Sequence, residues 1–289
     1  MQNEYLTRLT KAWAGILLIL LFSSCEPGTE PNPQPEPEPQ PIARTATVPG
    51  FIGIDSLGNL PTRHHFAEIY DEPEDAVHIY PDPAITDWEQ YGVNDPEKCF
   101  FVFHPGDYSH LDRLYLTESG SEDCPRIYRL AGAEGIHPQN LPQDQVAKLY
   151  GIRIGTPPTG GRQFIYIHKL AIQDGEGFVT YPGTRYCLFD SVRVNNFRGG
   201  GWRMYGSFNR IQDPAIGPKG PGGFDQGGVG IFARDGTESR GNIVIGGEIW
   251  NVTDGFGMPY DKGGDGGSCP NNYFLGIHVR IDSSQYVYD

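Results

Sequence analysis

The stretch Ile165-Tyr166-Ile167-His168-Lys169-Leu170-Ala171-Ile172 decides the fold. Ile165 and Ile167 alternate, His168-Lys169 intervene, and Leu170 and Ile172 alternate again. Twenty-two residues later Cys187 and Phe189 alternate, Asp190-Ser191 intervene, and Val192 and Val194 follow. Further on, Ile243 and Ile245 lead through Gly246-Gly247 to Ile249 and Asn251. Thirty residues beyond these stand Tyr273, Leu275, Val279 and Ile281. Alternation with a period of two marks a strand with one face buried. A change of phase across a short break marks a corner that keeps the apolar face inside. Asp190-Ser191, Asn195-Asn196 and Gly246-Gly247 suit such corners, because Asn, Asp and Gly tolerate left-handed backbone. Short strands and corners recurring every 22 to 30 residues predict a coiled solenoid whose coils share one core. The expected fold is all-β, a right-handed parallel β-helix. A β-sandwich or jelly roll is the competing architecture. Asp174-Gly175, Asp235-Gly236 and Asp254-Gly255 fall at the ends of apolar runs, but none joins two alternating strands as a convincing hairpin.

An earlier stretch points to the same fold by resemblance. Phe100-Phe101-Val102-Phe103-His104-Pro105-Gly106-Asp107-Tyr108, then Leu114-Tyr115-Leu116, Ser119-Gly120-Ser121 and Pro125-Arg126-Ile127, resembles the first coils of pectin-lyase-like proteins. In that superfamily a PG-x-Y turn introduces the helix and an SG-T/S…P turn follows the next strand. The resemblance runs from about Phe100 to Asp289. It implies the fold without selecting an activity, since the superfamily holds lyases, hydrolases, esterases, epimerases and non-catalytic binders.

At the N-terminus, Arg8 and Lys11 precede Leu17-Leu18-Ile19-Leu20-Leu21-Phe22-Ser23-Ser24-Cys25. A basic segment, a short apolar run and small residues before a cleavage point describe an export signal. The run is shorter than the roughly 20 residues that span a bilayer. Its ending resembles a bacterial lipobox, with Phe22 where Leu is usual, which implies acylation of Cys25. Residues 1–24 are then the signal peptide and 25–43 a tether, whose core EPGTEPNPQPEPEPQP has nothing apolar to bury. Proline-rich spacers of this kind extend by about 3.1 Å per residue. Residues 44–289 form the domain. The expected location is the cell envelope, anchored to the membrane by lipid only; acidic residues behind the cysteine resemble surface-export tags, which adds an outer-membrane, surface-exposed position.

The chain carries 39 glycines, 25 prolines and a formal charge of −14, which disfavours nucleic acid as a partner. A monomer is expected. Cys99, Cys124, Cys187 and Cys269 show no C-x-x-C spacing and thus no zinc motif. Export permits disulfides; Cys99 and Cys124 are plausible partners where adjacent coils bring them together, and Cys187 reads as a buried free thiol. The segments 213–228 and 258–270 interrupt the repeat as long loops. After Ile281 the last coil needs a cap, from Gln285-Tyr286-Val287-Tyr288 or from a longer chain.

Chemistry is suggested by charge. From Thr184 to Arg210 five arginines (Arg185, Arg193, Arg198, Arg203, Arg210) face one acid, Asp190; from Ile211 onward five basic residues face ten acidic ones. A basic island on an acidic chain predicts a local anion site, and the planar fork of Arg suits carboxylate or sulfate. The expectation is an extracellular, acidic polysaccharide, with β-elimination at a uronic acid as the favoured reaction. That reaction needs a cation on the uronate and a base for the C5 proton. Lys169, Arg193 and Arg198 are the catalytic candidates, with Arg203, Trp202, Tyr205 and His168 holding substrate. Two other readings stand beside it. Asp174 with Glu176, or Asp254, Asp261 and Asp265, could serve a glycoside hydrolase, and the latter three could instead hold Ca2+. A non-catalytic glycan-binding or adhesion protein needs none of these reactions.

Overall fold

The computed structural model describes residues 72–280 apart from 122–123, 133–139, 159, 221–226, 234–236, 253, 258–267 and 270. Cys25, Asp261, Asp265 and Gln285-Tyr286-Val287-Tyr288 lie outside the described residues. Nineteen strands and two short 3-10 turns are described, with no α-helix among the described residues. The first strands are β1 (Val77–Ile79), β2 (Phe100–Phe103), β3 (Gly106–Asp107), β4 (Leu114–Leu116), β5 (Arg126–Leu130) and β6 (Ala147–Ile154). Then come β7 (Ile165–His168), β8 (Ala171–Thr180), β9 (Leu188–Asp190), β10 (Arg193–Asn195), β11 (Trp202–Tyr205) and β12 (Arg210–Gln212). The last are β13 (Ala215–Ile216), β14 (Gly227–Phe232), β15 (Ile243–Ile245), β16 (Glu248–Trp250), β17 (Asp254–Gly257), β18 (Tyr273–Leu275) and β19 (His278–Arg280).

Every ladder between these strands is parallel. An eight-stranded sheet runs β1-β2-β5-β7-β9-β12-β15-β18, and an eleven-stranded sheet holds the rest. The second sheet has two halves. The first part of β8 pairs with β10 through Ala171↔Arg193, and its last part pairs with β11 through Phe178↔Trp202. Successive repeats therefore visit the first sheet, then one half of the second, then the other. No strand pairs with its sequence neighbour by a hairpin in these ladders, which removes the jelly-roll alternative's basic unit. The all-β class and long parallel sheets match the sequence expectation and are compatible with a coiled solenoid.

Three inward rows meet in one core. Ile167, Phe189 and Ile211 stack along the first sheet, Ile172, Val194 and Ile216 along the first half of the second, and Ile152, Phe178 and Trp202 along the other. All nine are at most 1% exposed. Burying each such side chain is worth about 1.5–3 kcal/mol, so the rows supply the main cohesion. One phase differs from the alternation reading. Ile243 and Ile245 lie in register with Arg210 and Gln212, and Val244 between them takes the core position beside Ile211. Likewise Phe274, flanked by Tyr273 and Leu275, continues the inner row. An unbroken Ile-Val-Ile run carries no period of its own, so only the neighbouring strands assign its faces.

The corners behave as their residue types require. Lys169, Ser191 and Asp213, followed by Gly246 and Gly276, stand at one recurring corner with φ between 45° and 67°. Beside another corner runs a buried ladder of asparagines. Asn209 Oδ1 accepts from the Cys187 N–H at 3.1 Å. Asn242 Oδ1 accepts from the Asn209 N–H at 3.0 Å and from its Nδ2 at 3.1 Å, and Asn272 Oδ1 repeats this on Asn242 at 2.9 Å each.

Cys99 and Cys124 are joined in a disulfide, with Cα atoms 6.4 Å apart. The pairing needs adjacent coils, and β2 and β5 are ladder neighbours, with Phe100 opposite Ile127, so the residues preceding them lie side by side. Cys187 is a buried free thiol whose ionisation burial pushes up to about 12. Replacing Asn242 by Ala removes the acceptor for two Asn209 donors and strands buried backbone groups. Its expected cost is about 1–3 kcal/mol, read as a lowered urea midpoint, whereas Asn196→Ala, at an exposed corner, should cost less.

Candidate functional site

The outer face of the second half of the eleven-stranded sheet carries a cleft of about 310 Å³. Its floor is one row of outward side chains on adjacent strands: Tyr115 (β4), Arg153 (β6), Val179 (β8) and Arg203 (β11). Each lies between two inward residues, as Arg153 does between Ile152 and Ile154, which are both fully buried. Arg113 and Glu176 close one side of the cleft, and Tyr181, Pro182 and Tyr205 the other.

Glu176 is placed by the glycines around it. A Cβ on Gly175 would lie 1.6 Å from the Tyr150 oxygen, and Gly177, at φ +79°, would meet the Gly200 oxygen at 2.4 Å. Only glycine allows the chain to pass here. Between them the Glu176 carboxylate accepts from Arg113 Nε at 2.7 Å and from Arg113 Nη2, and from Arg153 Nη2 at 3.0 Å. The Arg113 hydrogen bonds hold Glu176 below the usual carboxylate range and hold Arg113 charged. Arg153 is nearly buried, and its Nη1 donates to the Ile152 and Gly177 carbonyls at 3.1 and 3.0 Å. Burial pushes its ionisation down, with Glu176 opposing. Among the described residues Arg203 makes no hydrogen bond or ion pair, and it borders the cleft. Tyr205 is pinned through Thr180, whose Oγ1 accepts its N–H at 2.8 Å and donates to its carbonyl at 2.6 Å. Burial raises the Tyr181 phenol. Asp112 Oδ1 also lies 3.4 Å from Arg113 Nη1, so three guanidiniums stand against Glu176 in the cleft and Asp112 beside it, which leaves a positive, partly apolar cleft on an acidic chain.

Of the residues expected to form a site, Arg203 and Tyr205 line this cleft. Trp202 does not: it is 1% exposed and stacks on Phe178 with centroids 4.3 Å apart, so neither ring face is open to a sugar. Its position in the inner row follows from the register Trp202↔Phe178. Lys169, Arg193 and Arg198 are not brought together in the cleft. Lys169 is buried at a corner, Arg193 is half-buried on β10 between Ala171 and Ala215, and Arg198 is exposed between β10 and β11. Asp174 and Glu176 have separate partners: Asn196 Nδ2 donates to Asp174, while Arg113 and Arg153 hold Glu176. Asp254 lies in β17, and its proposed partners Asp261 and Asp265 are not described.

His168 sits on the first sheet, with Nε2 3.5 Å from Asp190 Oδ2 on the neighbouring strand. Burial, aided by Lys169 and Arg129, lowers His168 to about 4. Burial also raises Asp190 to about 6, against a hydrogen bond from Ser191 Oγ at 2.9 Å.

Arg113, Tyr115, Arg153 and Tyr181 were not singled out by the sequence reading. The signal for two of them existed: Gly151-Ile152-Arg153-Ile154 and Leu114-Tyr115-Leu116 both place one polar residue between inward apolar ones. No family model matches the chain, and comparison with curated proteins and with solved structures returns no match.

The His168 and Asp190 shifts act on stability in opposite directions. As pH falls from 6.5 toward 4, the unfolded chain protonates His168 before the native one does, so native stability falls. Asp190 keeps its proton to about 6 when folded but releases it near 3.8 when unfolded, so its contribution falls as pH rises through that window. His168→Gln removes the first slope alone. The variant should gain stability relative to the parent as pH falls from 6.5 to 4, by at most about 3 kcal/mol, in urea titrations across that range. A difference that does not change with pH would mean that His168 titrates as in the unfolded chain.

Proposed function

We propose that this chain is a cell-envelope lipoprotein, acylated at Cys25, whose parallel sheets wind as a right-handed β-helix and whose arginine–tyrosine cleft binds an acidic polysaccharide. The observation that carries the reading is Arg203, a guanidinium with no partner among the described residues, at a cleft already lined by Arg113 and Arg153. Carboxylate and sulfate match that fork by paired hydrogen bonds, and Tyr115, Tyr181 and Tyr205 offer amphipathic surface for sugar rings.

Binding without cleavage is the reading this chemistry favours. Elimination needs a base whose ionisation lies near the working pH. In the cleft, burial raises the Tyr181 phenol, and the Glu176 carboxylate is engaged by two guanidiniums. Hydrolysis needs two carboxyl groups set across the bond, and Glu176 is the one carboxylate among the described lining residues.

Electrophoresis through gels containing alginate, pectate or glycosaminoglycans tests this. The chain should be retarded by at least one of them, less so at high salt, and Arg203→Ala should weaken retention about tenfold, as expected for one charged hydrogen-bonded contact. Retention that Arg203→Ala leaves intact moves the site elsewhere. Growth of the unsaturated-uronate absorbance would make the protein a lyase. Separately, Cys25→Ser should shift the chain from the detergent phase to the aqueous phase and abolish labelling by fatty acid.

A further inference from the structure

On the first sheet, away from the cleft, two imidazoles meet. His78 lies on β1, and His104 follows β2, whose Phe103 is opposite Ile79. The His104 N–H extends this ladder by donating to the Ile79 carbonyl at 2.9 Å. His78 Nδ1 and His104 Nε2 are 3.0 Å apart. The other nitrogen of His78, Nε2, is 3.1 Å from Glu72 Oε1, and Glu72 Oε2 accepts from Arg129 Nη2 at 2.5 Å. His104 is stacked on Tyr80 at 3.9 Å, and Tyr108 Oη donates to the His104 carbonyl at 3.0 Å. With Glu72 accepting the Nε2–H of His78, Nδ1 of His78 carries the lone pair and His104 Nε2 is the donor.

We propose that His78 Nδ1 and His104 Nε2 form a binding site for a divalent first-row transition-metal ion, Zn2+ or Cu2+ in class, with Glu72 as the outer-shell carboxylate of His78. Two nitrogens bound to one such ion at about 2.0–2.1 Å stand about 3.0–3.4 Å apart at ordinary bond angles, and the pair already has that spacing. A carboxylate on the far nitrogen of a metal-binding His fixes its tautomer. Glu72 stands in that position on His78, and Arg129 fixes Glu72. The ion lies off the line between the two nitrogens, as bonds of about 2.0–2.1 Å require. The proton on His104 Nε2 leaves and one is taken up on His104 Nδ1 through solvent, so the His104 ring gives its Nε2 lone pair and the net proton count is unchanged. The His78 side chain is 40% exposed, so an ion can reach it. The chain's net charge of −14 favours cations over anions there. Among the described residues no third His, Cys, Asp or Glu completes a group around one ion. Among the described residues the site has two protein ligands, which makes it an open, exchangeable one.

Titration of the full chain with Zn2+ by calorimetry, and with Cu2+ by electron paramagnetic resonance, tests the site. One ion per chain should bind, with nitrogen hyperfine structure on copper, and binding should weaken as pH falls through the imidazole range. His104→Gln and His78→Ala should each weaken binding at least tenfold, and Glu72→Gln by about 10–100-fold, as for other outer-shell partners. An unchanged circular dichroism spectrum shows that each variant is folded. The proposal is overturned if no ion binds, or if the histidine variants bind as the parent does.

Discussion

A parallel ladder cannot be closed by a tight turn, so a chain whose strands pair only in parallel must travel away and return before it can pair again. That constraint shapes the rest of the molecule. Between His168 and Asp190, ladder partners on the first sheet, the chain visits both halves of the second sheet and comes back. Each circuit delivers one residue to every row, so a side chain's neighbours in space come from the repeats before and after it. The Arg153 and Arg203 forks share a cleft for this reason alone, fifty residues apart in sequence.

The circuit fixes where polar groups must be satisfied without water. At the corner after the first sheet, backbone in the left-handed region turns the chain within two residues, and non-glycine residues such as Lys169 and Ser191 accept that strain. Asparagine is used differently, its side chain standing in for backbone on the neighbouring repeat. Asn209 donates to Asn242 and Asn242 to Asn272, so the first two depend on the repeat that follows them. Cooperation between repeats is thereby built into the buried polar groups as well as into the apolar rows.

Period and corners were legible in the sequence because they are local. Ile165, Ile167, Leu170 and Ile172 disclose strand, corner and strand to anyone counting by two, and Ser191 or Asn196 disclose the turn by residue type. Facing was less legible. Trp202 reads as a candidate for sugar stacking next to Arg203, yet a strand sends neighbours to opposite sides, and one of the two had to be inside. Its polar flanks, Gly201 and Arg203, contain the answer, but the aromatic ring's two uses look alike in sequence. Ile243-Val244-Ile245 is worse still, since no alternation exists there to read. The cleft was half visible. Arg203 and Tyr205 stood out in a basic island, whereas Arg113 and Arg153 are single arginines in unremarkable surroundings until the register sets them side by side.

Clustering of arginines along the chain therefore differs from clustering in space, and the difference decides what a basic island can do. Arg193, Arg198 and Arg203 are close in sequence but leave the chain on β10, at the corner after it and on β11, so their fields point to different faces. Arg113, Arg153 and Arg203 are far apart in sequence and share one face. Two of these three are already engaged by Glu176, which offsets part of their charge and holds their side chains in fixed positions. Glu176 thus lowers the cost of packing three like charges into one cleft, while Arg203 has no partner among the described residues. An arrangement without Glu176 would have more charge and less order, because the forks of Arg113 and Arg153 would repel one another with nothing to fix their spacing.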